Sequence, residues 1–130
     1  MKFGYVITYV ENVQASLDFF CNAFGFTIRF LHESGNYGEL ESGETLIAFA
    51  SDSLGDMNFP GGHVSAHTSP KPLGMELALV TDDVAAVHAH ALSLGASELA
   101  SPTKKPWGQT VSYVRCPDGI LVELCTPINS

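Results

Sequence analysis

"YVITYVENVQASLDFFCNAFGF", residues 5–26, decides the fold, because the chain says it twice. Residues 76–97 read "ELALVTDDVAAVHAHALSLGAS". Each stretch opens with about six residues of strand-like sequence. An acidic or amide pair follows, Glu11-Asn12 in one and Asp82-Asp83 in the other, and then a valine. Each continues as a short helical pattern closed by glycine. In the first, Val13, Leu17, Phe20 and Phe24 recur at helical spacing, with Asn12 placed to cap and Gly25 to stop. In the second, Val84, Val87, Ala91 and Leu94 make the stripe, with Asp83 as cap and Gly95 as stop. His88 and His90 lie at its margins, which predicts solvated or hydrogen-bonded rings.

The tails of the two halves correspond as well. "ESGETLIAFAS" (41–51) matches "CPDGILVELCT" (116–126) once one residue is slipped. Gly43 then meets Gly119, Ala48 meets Glu123, Phe49 meets Leu124 and Ser51 meets Thr126. Each half reads as strand, helix and three further strands around a glycine turn. The expected fold class is α+β, two βαβββ repeats in a single domain spanning 1–130. Repeat one covers about 1–51 and repeat two about 75–130. The join, about 52–74, is rich in Gly, Pro and Ser, so a linker or long surface loop is expected there, not a packed element.

Side chains alternate faces along a strand. Tyr5, Ile7 and Tyr9 share one face of the first strand. Leu77 and Leu79 are the more apolar set of the matching strand and should pack on the helix, which turns Glu76 away from it. In the last strand Val122 and Leu124 take the helix face. Glu123 then points with Leu121 and Cys125 into whatever the curved sheet encloses. The repeat thus singles out four equivalent positions: Tyr5 and Ala48 in one half, Glu76 and Glu123 in the other. Two carboxylates on facing strands raise each other's pKa unless something positive lies between them. A divalent metal, a cationic ligand, a lysine or arginine, or a shared proton would each serve. The alternative is a solvated carboxylate at a cleft mouth.

Composition bounds the function. The chain has 130 residues, 45% of them hydrophobic and only 15% charged. That charged share is low for a soluble monomer and suggests a further buried surface, such as a subunit interface. The formal net charge is −8, with six Lys plus Arg. Such a chain offers no phosphate-tracking face, so no nucleic-acid partner is expected; the balance favours neutral or cationic small ligands. The sequence has neither a signal-peptide pattern nor a membrane-spanning apolar run, so a cytoplasmic protein with no membrane partner is expected. Cys21, Cys116 and Cys125 form no CxxC pair, consistent with free thiols in a reducing compartment.

"YVENVQASLDFFCNAFGF" and "PWGQTVSYVRCPDGILVEL" together resemble the vicinal oxygen chelate superfamily, also called the glyoxalase/bleomycin resistance/dioxygenase superfamily. The latter stretch resembles its closing signature, with W-G, P-D-G and E-L elements. The resemblance covers nearly the whole chain. It implies paired βαβββ units in a cupped mixed sheet, a homodimer, and a ligand cavity built with both chains. In the metal-dependent enzymes of that family the ligands come from the four positions found above. Here the usual first-strand His is Tyr5, its counterpart in the other half is Glu76, and the first closing strand carries Ala48. Only the closing Glu is kept, as Glu123.

Two oxygen ligands and a tyrosine fall short of the three-ligand open site such catalysis needs. The expectation is therefore no cofactor. Any divalent metal (Ni, Zn, Mn or Fe) would have to rest on Glu76 and Glu123. His63 and His67, four apart but in a Gly/Pro-bounded loop, are expected to be solvated. Cys116 stands where the family usually has the Asp that caps its turn.

The ligand face would include Tyr5, Ile7, Tyr9 and Ala48, with Trp107 at a flexible Gly108. Aromatic rings near carboxylates suit flat or cationic ligands. Tyr113 and Arg115 share a face, and Arg115 could pair with Glu123 or with an anionic ligand group. The leading expectation is a dimeric small-molecule-binding protein that sequesters a planar or cationic compound. A metal-dependent lyase or isomerase using Glu76 and Glu123 is the alternative, with a metal-free form using Glu123 as base and Tyr5 as acid. The third is a structural module with a vestigial cavity.

Overall fold

Asn12 and Gly25 bracket the first helix as the sequence predicts. The computed structural model describes residues 1–128. The Asn12 side chain accepts the Ala15 N–H at 2.9 Å. Gly25, at φ 78°, ends the helix by donating its own N–H to the Cys21 carbonyl. That left-handed angle costs glycine nothing.

The chain divides into two compact units, Met1–Thr68 and the part from Ser69 onward. The first contains β1 (Tyr5–Val10), α1 (Val13–Phe24), β2 (Thr27–Leu31), β3 (Tyr37–Glu41), β4 (Leu46–Ser51) and α2 (Asp52–Asn58). Its sheet has the order β1-β4-β3-β2. β1 runs parallel to β4, and the other pairs are antiparallel. Helix α1 covers one face, burying Val13, Leu17 and Phe20 against Leu40, Ile47 and Phe49. The Phe20 and Phe49 rings lie 5.0 Å apart. Gly38 allows the close approach: a Cβ there would stand 2.7 Å from Leu17 Cδ1.

The second unit repeats the plan with β5 (Leu77–Val80), α3 (Val84–Ser93), β6 (Ser97–Lys104), β7 (Thr110–Arg115) and β8 (Leu121–Cys125). The order β5-β8-β7-β6 mirrors the first sheet. Val84, Ala91, Val114, Val122 and Leu124 form its core. The register verifies the one-residue slip. Ile7 pairs with Ala48 in the first unit, and Ala78 pairs with Glu123 in the second. The fold class is the expected α+β arrangement of two βαβββ units with mixed sheets.

Three local expectations are corrected. The stretch 52–74 is not free of packed structure, because α2 occupies its start. Ser51 caps that helix by accepting the Leu54 N–H at 3.1 Å, and Asp52 follows in the first turn, where the helix dipole favours a carboxylate. Gly55 is buried where a Cβ would meet the Tyr9 and His63 rings at 2.9 Å. Secondly, the inner stripe of α3 is Val84, His88 and Ala91, while Leu94 is exposed at the C-cap. His88 tolerates burial because both ring nitrogens are matched, Nδ1 to Ser112 Oγ at 2.9 Å and Nε2 to Glu98 Oε2 at 2.7 Å. Thirdly, His63 and His67 are bonded rather than solvated, as described below. Among the described residues no helix is long and apolar enough to cross a membrane.

Candidate functional site

Strand pairing positions the candidate groups of the second unit. Glu123 sits mid-strand in β8, between Ala78 on β5 and Tyr113 on β7. Its neighbours Val122 and Leu124 are fully buried beneath α3, which turns Glu123 to the opposite face. There Tyr113 donates its hydroxyl to Glu123 Oε1 at 2.8 Å. Holding that proton on the carboxylate pushes the Tyr113 phenol up to about 12; burial and the charges of Glu123, Glu76 and Cys125 add to the shift.

Glu76 lies two residues before Ala78 and so shares the face of Glu123 as its diagonal neighbour, a spacing long side chains bridge. Crowding by neighbouring atoms raises its pKa first, although the residue as a whole is exposed. The charge of Glu123 and a side-chain hydrogen bond to it raise it further. Two carboxylates in that relation repel each other. Cys125, buried on the same strand face, has its thiol pushed up by burial, then by the charge of Glu123, a hydrogen bond to it and the charge of Glu76. It is a neutral thiol, not a poised nucleophile. Its Sγ reaches the Leu79 carbonyl at 3.8 Å.

In the first unit the equivalent face is aromatic and aliphatic. Tyr5 is 51% exposed and Ile7 42%, while Ala48 is fully buried. The carboxylate that Ala48 lacks is present one strand over. Glu39 on β3 lies directly across from Ala48, as Tyr113 lies across from Glu123. Tyr37 donates to Glu39 Oε2 at 2.7 Å, and Arg29 Nε stands 3.4 Å from Glu39 Oε1. Arg29 also meets Glu41 at 3.3 Å. Burial, and then the bond to Glu39, raise the Tyr37 phenol strongly. Sequence reasoning missed Glu39, because comparing the repeats compares equivalent strands and not neighbouring ones. The alternation in "YGELE" was the available signal.

The other expected residues fall in different settings. Tyr9 packs against the His63 ring at 4.8 Å, and the Asn58 amide reaches its hydroxyl at 3.4 Å. Trp107 is 66% exposed and donates its indole N–H to Gln109 Oε1 at 2.7 Å. Gly108, at φ 99°, closes the turn that displays it. Arg115 donates to the Ser69 carbonyl at 2.8 Å and to the Gly119 carbonyl at 3.3 Å. In the turn after Arg115, Asp118 Oδ1 accepts the Ile120 N–H at 3.1 Å, so the turn has an Asx bond of its own beside Cys116.

His63 and His67 gather round Asp52. His63 Nε2 lies 2.9 Å from Asp52 Oδ1, and its Nδ1 is 3.3 Å from Asp56 Oδ1. His67 meets Ser65 Oγ at 2.8 Å, Asp52 Oδ2 at 3.4 Å and Glu11 Oε2 at 3.4 Å. The cluster ties α2 and the loop after it to the start of α1. Among the described residues no group of three or more His, Cys, Asp or Glu side chains is placed to hold a metal ion. The donor set does not fit the chelate that the resemblance implies. Glu76 and Glu123 offer two carboxylates, and the two equivalent positions of the first unit are a phenol and a methyl group.

The model of the Glyoxalase/Bleomycin resistance protein/Dioxygenase superfamily matches residues 2–124. A glyoxalase-related enzyme from Fulvimarina pelagi superposes with a TM-score of 0.81 at 19% identity, over 98% of this chain and 88% of that one. A glyoxalase/bleomycin resistance protein/dioxygenase family enzyme from Burkholderia phytofirmans PsJN gives 0.80 at 16% identity, over 97% and 98%. A superfamily member from Sphaerobacter thermophilus gives 0.74 at 22%, over 98% of each chain. At these identities the likeness establishes the fold alone. No curated protein matches the chain.

Proposed function

The chain belongs to the Glyoxalase/Bleomycin resistance protein/Dioxygenase superfamily, and from that premise we propose that it binds a small organic molecule, planar or cationic, on the acidic face of its second unit. One observation carries the reading: Glu76 and Glu123 share one sheet face as diagonal neighbours on paired strands, with the Tyr113 hydroxyl bonded to Glu123. Two carboxylates so close repel once both are ionised, and a positive group placed between them relieves that repulsion. The exposed rings of Tyr5 and Trp107 supply stacking and cation–π surface on their respective units. The proposed role is sequestration by a homodimer, since the donor set lacks a third metal ligand.

Quenching of the single tryptophan by proflavine, a planar monocation, tests the proposal. Saturable binding should weaken about tenfold or more in Glu123→Gln, the scale of a lost charge-assisted contact. A planar anion of similar size should bind far more weakly. Equal affinity of wild type and Glu123→Gln for the dye would sink the assignment of the site.

A catalytic reading, lyase or isomerase chemistry centred on Glu76 and Glu123, has one observation in its favour. A carboxyl of raised proton affinity beside a carboxylate is an acid–base pair. Turnover of thiohemiacetal or epoxide probes that is abolished in Glu123→Gln would move the assignment from sequestration to catalysis. Loss of that turnover with a chelator would make it metal-dependent.

A further inference from the structure

We infer that the histidine–carboxylate cluster centred on Asp52 is a proton-operated clasp: protons on His63 and His67 hold α2 and the chain up to residue 67 against β1 and the start of α1, and their loss releases that segment. The inference is independent of the proposed binding face, because every group in it belongs to the first unit.

A neutral imidazole has one donor and one acceptor nitrogen. That suffices for His88, whose ring can donate Nε2–H to Glu98 and accept the Ser112 hydroxyl. It does not suffice around Asp52. His63 Nε2 stands 2.9 Å from Asp52 Oδ1, an oxygen that only accepts, so Nε2 carries the proton. Nδ1 of the same ring is then a bare nitrogen, buried and without a hydrogen bond, and Asp56 Oδ1 is 3.3 Å from it. Ser65 has one hydroxyl proton and gives it to Asp52 Oδ2 at 2.7 Å. Its Oγ must therefore accept from His67 Nδ1, at 2.8 Å. His67 Nε2 is left facing Glu11 Oε2 at 3.4 Å. In both neutral rings, then, a nitrogen lone pair lies against a carboxylate oxygen. One added proton on each ring turns both repulsions into charge-assisted contacts.

The groups that face the two rings come from each neighbouring element. Asp52 and Asp56 come from α2, and Glu11 from the turn before α1. From β1 comes Tyr9, whose ring lies 4.8 Å from that of His63 and whose hydroxyl takes the Asn58 amide. The loop itself adds Phe59 and Ser65. Helix α2 has seven residues, too few to stand without tertiary support, so its seat on Tyr9 depends on what ties it down. The two added protons strengthen those ties, and the stability they contribute is lost as pH rises. An imidazole changes charge between about pH 5 and 8, so release falls near neutrality. The segment then lifts from Tyr9, which shares the exposed β1 face with Tyr5 and Ile7.

The test is amide hydrogen exchange of the whole chain at about pH 5.5 and about pH 7.5, with rates corrected for the intrinsic effect of pH. Protection of residues 52–67 relative to α1 should fall by about fivefold at the higher pH, the scale of two partly exposed ion pairs. Equal relative protection at the two pH values overturns the clasp. The double variant Glu11→Gln, Asp56→Asn replaces two exposed carboxylates by amides of the same shape, which can donate to a neutral ring. Exchange in α1 reports that the variant is folded, and its 52–67 segment should lose the pH dependence. The wild-type dependence retained there assigns the effect to other groups and overturns the inference. Nitrogen-15 spectra of the imidazoles give a readout separate from opening. At the higher pH the neutral rings should carry their protons on His63 Nε2 and His67 Nδ1, and at the lower pH on both nitrogens of each. The opposite tautomer in either ring, or a ring that stays neutral at the lower pH, overturns the clasp.

Discussion

Glu123 is a charge in a strand whose neighbours are fully buried, and its environment accounts for it at every contact. The Tyr113 hydroxyl satisfies one oxygen, and Glu76 stands as its diagonal neighbour on the paired strand. The pairing leaves a signature in stability. The folded-state pKa of Glu76 lies above its ordinary value of 4.5. The protonated form is thus favoured by folding, and the stability it contributes is complete below the ordinary glutamate range. That contribution is lost as pH rises through the folded pKa. Thermal melts of wild type should therefore fall relative to Glu76→Gln between weakly acidic and neutral pH. The gap should stay under about 1 kcal/mol because Glu76 is solvent-screened. Parallel melting curves for the two proteins across that range would contradict the raised pKa. Tyr113→Phe removes the other partner. It should cost about 1 kcal/mol in urea unfolding, the net worth of a typical hydrogen bond, with little change in m-value.

At the scale of elements, what could be read from the chain and what could not divide along physical lines. Helix α1 and its caps were legible because Asn12, Gly25 and the apolar spacing are local signals. The equivalence of Ala48 and Glu123 was legible because duplication preserves strand parity, and the pairing register verifies it. Glu39 was not, because a cross-strand neighbour depends on which strands pair and in what register. The partners of Tyr9 and Arg115 come from the α2 region and from turn carbonyls, which strand parity does not reach. Nor was His88 legible as a core residue. Its burial depends on Ser112 and Glu98, residues distant in sequence.

Two substitutions probe this level. Gly38→Ala drives a methyl to 2.7 Å from Leu17 Cδ1 and to 3.3 Å from both Val13 Cγ1 and the Phe30 carbonyl oxygen. It should destabilise by about 1–3 kcal/mol, as overpacking does where α1 meets β3. Ser112→Ala strips a fully buried hydroxyl and leaves His88 Nδ1 without its partner. That should cost about 1–3 kcal/mol, and Ser112→Thr should recover part of it if the cavity accepts the methyl group. Chemical denaturation midpoints decide both. A Gly38→Ala protein as stable as wild type would mean that α1 does not approach the sheet as closely as described.

At the scale of the whole molecule, the exposed apolar strands bear on the proposed homodimer. Only 15% of residues are charged. Val80 is 65% exposed and Met75 73%, on and just before β5. On β1, Tyr5 and Ile7 are exposed as well. β1 and β5 are each a terminal strand of their own sheet and, among the described residues, each pairs with a single neighbour. An exposed apolar edge strand is a hazard that native proteins charge, shorten or cover. Neither β1 nor β5 carries a lysine, arginine or proline within its span. β5 is short at four residues, but β1 runs to six, and a second copy of the chain is the proposed cover. Sedimentation at micromolar concentration should give twice the 13.9 kDa chain mass. Val80→Lys places a charge on the exposed face of β5 without touching the buried core of the second unit, so it should shift the particle toward monomer while far-UV circular dichroism stays unchanged. Dye affinity of the wild type, measured above and below the concentration at which the dimer forms, then separates two roles. If it falls with dimer content, the partner chain helps to hold the ligand. If it is unchanged, Glu76, Glu123 and Tyr113 bind the cation from one chain alone. A wild-type particle of single-chain mass at all accessible concentrations would remove the dimer from the account.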